Sequence, residues 1–136
     1  MRLVNLATSA SVVLPHDLLW SDEFSWSPVV TNISYTLPGS LVVESSKKLS
    51  GRPITLQSQL DDMGWVKRSD VLTLLNWAAI ENQQFRLDLE YSTDSRQFTV
   101  IFDQSNSPIL ANPVKGFPSH ASDDWFRLTL KFIEVT

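Results

Sequence analysis

From Phe126 to Phe132 the chain alternates without a break: Phe126, Leu128, Leu130 and Phe132 are apolar, and Arg127, Thr129 and Lys131 between them are polar. A helix turns by about 100° per residue and would scatter those four apolar groups around its circumference. An extended strand sends successive side chains to opposite faces, so the same spacing gathers them on one side. The pattern recurs along the chain. FRLDLEY sets Phe85, Leu87, Leu89 and Tyr91 against Arg86, Asp88 and Glu90; after the polar turn at 92–95, QFTVIF brings Phe98, Val100 and Phe102 together. NISYTL places Ile33, Tyr35 and Leu37 on one face and Asn32, Ser34 and Thr36 on the other. LVVES follows as its partner strand across Leu37-Pro38-Gly39-Ser40. That tetrapeptide suits a type II turn, because Pro presets φ at the second position and Gly accepts a positive φ at the third. In RPITLQS, Ile54 and Leu56 alternate, and Pro53 stands at the strand start, where a missing N–H is tolerated. Repeated alternation with one wet face predicts antiparallel pairing. The expected core is Phe85, Leu87, Leu89, Phe98, Val100, Phe102, Phe126, Leu128, Leu130 and Phe132.

One segment breaks the period. In SDVLTLLNWAAIENQ, Val71, Leu74, Leu75 and Ala78 recur at helical spacing, with Trp77 and Ile80 beside them. This predicts a short helix over about 70–82, with Ser69 or Asp70 placed to cap its first free N–H groups. A helix of about 12 residues is roughly 18 Å long. That is too short to persist alone in water, so it must lie against a sheet. The expected fold is mainly β, an antiparallel β-sandwich or barrel with one short α-helix, in a single domain over 1–136. MRLVNLATSASVVLPH reads as a first strand rather than a secretory leader, since Asn5, Thr8, Ser9 and Ser11 interrupt its apolar run and a single charge precedes it. DQSNSPILANPVKGFPSHASDD, with its prolines and serines, reads as a long loop.

The same residues restrict the chemistry. With no cysteine, the chain has no disulfide framework, thiolate nucleophile or cysteine-based zinc site. The net charge is −4 and the cations are scattered, Lys47-Lys48 being the longest basic feature, so no stripe offers itself to nucleic acid. No apolar run approaches the ~20 residues that cross a bilayer. The acidic pairs are Asp22-Glu23, Asp61-Asp62 and Asp123-Asp124. Neighbours in a strand point to opposite faces, so none of these pairs can place two carboxyls across a cleft as a glycosidase needs, and they read as turn acids. His16 and His120 lie in loop-like contexts beside proline or serine, and no nucleophile elbow, H-E-x-x-H, P-loop or G-x-G-x-x-G is present. The expectation is a protein that is not an enzyme and uses no metal or cofactor.

The aromatic residues carry more. Five tryptophans, Trp20, Trp26, Trp65, Trp77 and Trp125, are many for this length. Such residues anchor cores and protein interfaces, or stack on sugar rings. Trp77 lies among the helix leucines, and Trp20 stands four residues before Phe24 in LLWSDEFSW. Taken in order, GRPITLQS, GWVKRSDVLTLLNW, FRLDLEY…RQFTVIFDQSNSPILANPV and the closing WFRLTLKF resemble the small tail proteins of bacteriophages with long flexible tails, specifically the distal tail protein class. The resemblance covers roughly residues 15 to 135. It implies a β-sandwich with one helix that assembles with copies of itself into a ring, commonly a hexamer, between the tail tube and the hub of the tail tip. It also implies a virion location after synthesis in the host bacterial cytoplasm, with other tail proteins as partners and neither nucleic acid nor membrane among them. Many members carry a second, C-terminal domain, sometimes of a sugar-binding type; this chain ends after one domain, which fits a connector better than an adhesin. The oligomer interface is expected to use Trp20, Trp26, Asp61, Asp62, Trp65 and Lys67, with the 104–124 loop beside them. A carbohydrate-binding β-sandwich module, with exposed tryptophans as its platform, is the alternative from a different class.

Overall fold

The computed structural model describes residues 1–105, 107–116, 118 and 120–135. In chain order the elements are β1 (Arg2–Asn5), β2 (Ser11–Val13), β3 (Leu19–Trp20), β4 (Val29–Tyr35), β5 (Leu41–Lys47), β6 (Pro53–Gln57), β7 (Trp65–Lys67), α1 (Arg68–Ala78), β8 (Phe85–Asp88), β9 (Gln97–Phe102), β10 (Ile109–Pro113) and β11 (Trp125–Glu134). The protein is mainly β, antiparallel throughout, with one helix, as the alternation predicts.

The long alternating strand β11 is the organiser. Its first half pairs with β7 and β10 and its second half with β6 and β9, so that Phe126 stands opposite Val66 and Pro113, and Phe132 opposite Ile54 and Phe102. The sheet continues from β9 through β8 and β1 to β2, and from β6 to β3. All ten residues of the expected core are buried, none more than 8% exposed. Leu3 of β1 and Ile54 and Leu56 of β6 join them with no exposed surface. An aromatic chain links the helix to the sheet: Trp77 stacks on Phe85 (5.5 Å), Phe85 meets Phe102 edge-on (5.1 Å), and Phe102 lies against Phe132 (4.9 Å).

Several local expectations need correction. The helix runs over Arg68–Ala78, two residues earlier than expected at its start and four at its end, and neither Ser69 nor Asp70 caps it. Its first N–H groups are satisfied from outside the helix: Arg68 N–H donates to Asp124 O (2.9 Å) and Ser69 N–H to Ser122 O (3.1 Å). Carbonyls of a distant loop thus do the work of a cap. The helix buries Leu74 and Trp77, with Val71 and Ala78 partly covered, whereas Leu75 (54%) and Ile80 (46%) stay exposed. The 104–124 segment contains β10. Its Ile109 and Ala111 are partly buried against the core, and the prolines and serines around this short run masked it. Asp88 is not on a wet face; it is buried, and Arg86 neutralises it through two hydrogen bonds (2.8 and 3.2 Å). At the β4–β5 turn, Gly39 takes φ +94°, but its N–H donates to Thr36 O (2.9 Å), closing the turn one residue earlier than a type II turn over 37–40. The result is a three-residue loop with glycine at the left-handed position.

Gly64 is constrained more tightly. It has φ +71°, and an added Cβ would lie 2.8 Å from Ser58 Cβ and 2.9 Å from Leu18 Cδ2. Its N–H donates to Asp17 Oδ1 (3.1 Å) and its carbonyl accepts from Leu128 N–H (3.1 Å). Gly64→Ala should therefore combine left-handed strain, about 1–2 kcal/mol, with overpacking, about 1–3 kcal/mol. A loss of less than about 1 kcal/mol, read from urea midpoints at constant slope, would contradict the contact.

Candidate functional site

The β4–β5 hairpin stands apart from the sheet that holds the core. Its strands pair only with each other, from Val29 opposite Lys47 to Tyr35 opposite Leu41. Directly opposed residues share a face. One face therefore carries Val29, Thr31, Ile33, Tyr35, Leu41, Val43, Ser45 and Lys47, apolar toward the tip and polar at the base; the other carries Val30, Asn32, Ser34, Val42, Glu44 and Ser46. Every residue of both strands is exposed. On the first face Ile33 is 58% accessible, Tyr35 73%, Leu41 54% and Val43 55%, and Leu37 at the tip is fully exposed. The alternation in NISYTL was legible, but no described residue of the chain covers the face it creates.

The base of this arm is clamped to the body by alternating cations and aromatic rings. Lys48 Nζ lies 5.3 Å from the centre of Trp26, Arg52 Cζ lies 5.1 Å from Trp26 and 6.0 Å from Trp20, and Arg96 Cζ lies 5.4 Å from Trp20 and 5.6 Å from Phe98. Trp26 precedes β4, and Lys48 and Arg52 follow β5, so both ends of the arm enter the stack. Each such contact contributes about 0.5–1 kcal/mol where exposed and ~2 where desolvated. Trp20 is 7% exposed and packs edge-on to Phe98 at 5.3 Å; as an interface residue it is corrected to a core residue, and Trp26, half-buried, is the rung at the arm. Asp22 ties the preceding turn to β6, accepting from Thr55 N–H (2.9 Å) and Thr55 Oγ1 (3.0 Å). Arg96 is held in turn by Glu23 (2.6 Å) and Asp94 (2.8 Å).

The Arg96 guanidinium, hydrogen-bonded to its carboxylate, holds Asp94 below the usual carboxylate range, aided by the Arg96 backbone N–H. A depressed folded pKa means a contribution present above the unfolded value, about 3.9, and lost as pH falls through the folded one. Asp94→Asn should therefore be less stable than wild type at pH 7, by a deficit that shrinks when the pH is lowered to 3. An equal deficit at both values, read from urea midpoints, would contradict this coupling.

A second cluster gathers three of the other expected interface residues, Asp61, Trp65 and Lys67. Trp65 on β7 and Trp125 on β11 lie 6.4 Å apart, 37% and 44% exposed. Trp65 Nε1 donates to Asp61 O (2.8 Å), which fixes its indole, and Lys67 Nζ lies 5.7 Å over Trp125. Asp61, Asp62 and Lys67 are exposed. The cluster joins Asp61, Trp65 and Lys67 but lies in a different set of contacts from Trp20 and Trp26, and it adds Trp125, which sequence reasoning did not assign to the interface.

A third surface lies along α1. Leu72, Leu75 and Ala79 are exposed on its outer side. Beyond them opens a depression of about 580 Å³, lined in part by Ile80, Phe85, Ile101 and Gln104. No group of three or more His, Asp or Glu residues placed to hold a metal ion occurs among the described residues, and no helix is long and apolar enough to cross a membrane.

No protein-family model, curated protein or solved structure matches this chain. Of the three surfaces the arm is the most demanding, because an isolated two-stranded hairpin is at best marginally stable in water.

Proposed function

We propose that this chain is a structural subunit that assembles with copies of itself into a closed ring, and that it serves as a connector between the tail tube and the tail-tip hub of a long-tailed bacteriophage. The observation that carries the assembly is the β4–β5 arm, anchored firmly at its base and uncovered along its apolar face. An apolar face on an unsupported hairpin gains stability only when something covers it, and its unpaired strand edges invite pairing. A head-to-tail contact between copies covers the arm and, where the rotation closes, gives a ring. The resemblance to distal tail proteins supplies the tail connector, six copies as the first number, the virion location and the bacterial cytoplasm as site of synthesis. The test is the mass of the wild-type protein by light scattering, with electron micrographs of the peak. A discrete ring supports the reading; a monomer at high concentration rejects it.

The second reading, a carbohydrate-binding module, is favoured by the half-exposed Trp65–Trp125 pair, whose adjoining indoles offer sugar rings a platform. Trp65→Glu separates the two. Loss of glycan binding from a protein of unchanged mass supports the module; a shift from ring to folded monomer supports the connector.

A further inference from the structure

The outer face of β7, β11 and β10 carries more than its tryptophan pair. Trp65 stands opposite Arg127, Lys67 stands opposite Trp125, and on its other side Arg127 faces Asn112. Residues opposed across a ladder share a face of the sheet. Val66 and Phe126, between them in the chain, are buried, and Ala111 is partly buried against the core. The five side chains therefore point outward. On β7 and β11 an aromatic ring and a cation alternate both along the strand and across it, two of each. We infer that this face binds a sugar chain that bears carboxylates, with the indoles stacked on its rings and Lys67 and Arg127 on its charges. The inference rests on the carbohydrate reading of the tryptophan pair and adds the class of sugar.

The charges select that class. Neither Lys67 nor Arg127 joins an ion pair among the described residues. β7 and β10 contain no acidic residue, and β11 has none before Glu134. The acids nearest in sequence are engaged elsewhere or reach the site by their backbone: Asp124 accepts from Lys115 Nζ (3.0 Å), and Asp61 meets Trp65 through its carbonyl oxygen (2.8 Å). Two cations without a carboxylate, on a chain of net charge −4, leave a local positive field beside two half-exposed rings. The planar guanidinium of Arg127 matches a carboxylate with two parallel hydrogen bonds. Lys67 lies 5.7 Å over Trp125 in the free protein, a weak contact at an exposed site, so its ammonium can leave the ring for a ligand's carboxylate while the ring takes the sugar. Asn112 adds an amide, which donates and accepts as sugar hydroxyls require. Single-stranded nucleic acid also stacks on aromatic rings beside cations, but it calls for a positive groove that follows its backbone, and here the cations stop at two.

The probes are polygalacturonate and its fully methyl-esterified form, which keeps the rings and removes the charge. Each is titrated into the full chain in whatever assembly it forms. The acidic polymer should bind about tenfold more tightly at low salt, the scale of two exposed charge pairs, and the preference should narrow as salt screens them. Lys67→Gln with Arg127→Gln should bring the two polymers to equal affinity. Trp65→Ala with Trp125→Ala should lose both, with unchanged far-UV circular dichroism and unchanged mass. If the wild type binds the two polymers equally, the acidic class is wrong and the carbohydrate reading stands. If it binds neither, both fall. An oligo-dT strand bound as tightly as polygalacturonate overturns the sugar in favour of nucleic acid. Tryptophan variants that lose binding and assembly together make the pair an interface between copies and overturn the site.

Discussion

Phe85→Ala should destabilise the protein by about 3–5 kcal/mol, the cost of removing a large buried aromatic ring together with the cavity that remains. Phe85 is 1% exposed and holds the middle of the aromatic chain, stacked on Trp77 and edge-on to Phe102. Its loss unpins α1 from β8 and β9 at once, and collapse cannot fill the space, because β8 is paired on both sides, with β1 and β9. Against a total stability of about 5–15 kcal/mol, such a loss brings the protein close to unfolding near body temperature. Phe24 is the control. It is 91% exposed, and Phe24→Ala should stay within about 0.5 kcal/mol. The comparison is read from denaturant midpoints at constant slope. A cost below about 2 kcal/mol for Phe85→Ala would mean that the aromatic chain is not the core.

The second large effect is expected on assembly rather than on folding. Val29 and Lys47 stand opposite each other across the arm, so residues 30–46 can be replaced by a two-residue Asn-Gly turn that joins them. No residue from 21 to 53 belongs to the core, and the separate sheet shares no ladder with the rest. The shortened chain should keep its cooperative unfolding, with a change of about 1 kcal/mol or less, since loop length acts only weakly on stability. Its mass in solution should fall from that of a ring to that of one chain. Retention of the assembled mass without the arm would sink the role given to it. Loss of cooperative folding would show instead that the arm stabilises the body.

The two experiments divide the molecule as the physics does. Inside the body, apolar groups are covered by their own chain, and their removal is felt as stability. On the arm, apolar groups are left uncovered by the described residues, and under the proposed assembly their removal should be felt as association. Pattern reading alone does not separate the two classes, because Ile33 and Phe98 have the same alternating neighbours and opposite burial.

The sequence by itself determined the class of fold and the ten core residues of its three clearest strands. Period-two alternation admits one local geometry, and every residue placed on the apolar side of β8, β9 and β11 is buried, because a strand cannot rotate one side chain inward without its alternate neighbours. It also located the helix, whose 3.6-residue period has no strand equivalent. Only the tertiary structure decided which apolar faces are covered. It put Trp20 inside and left Leu75 and Ile80 out, although all three are large and apolar. It moved the helix start to Arg68, because the carbonyls of Ser122 and Asp124 cap it from across the fold, a contact that no local sequence signal records. It brought Lys48, Arg52 and Arg96 onto Trp26 and Trp20 from three separate segments. The reason is common to all of these. Local geometry depends on neighbours in the chain and can be read along it, whereas cover depends on neighbours in space, and for the β4–β5 arm no described residue supplies it.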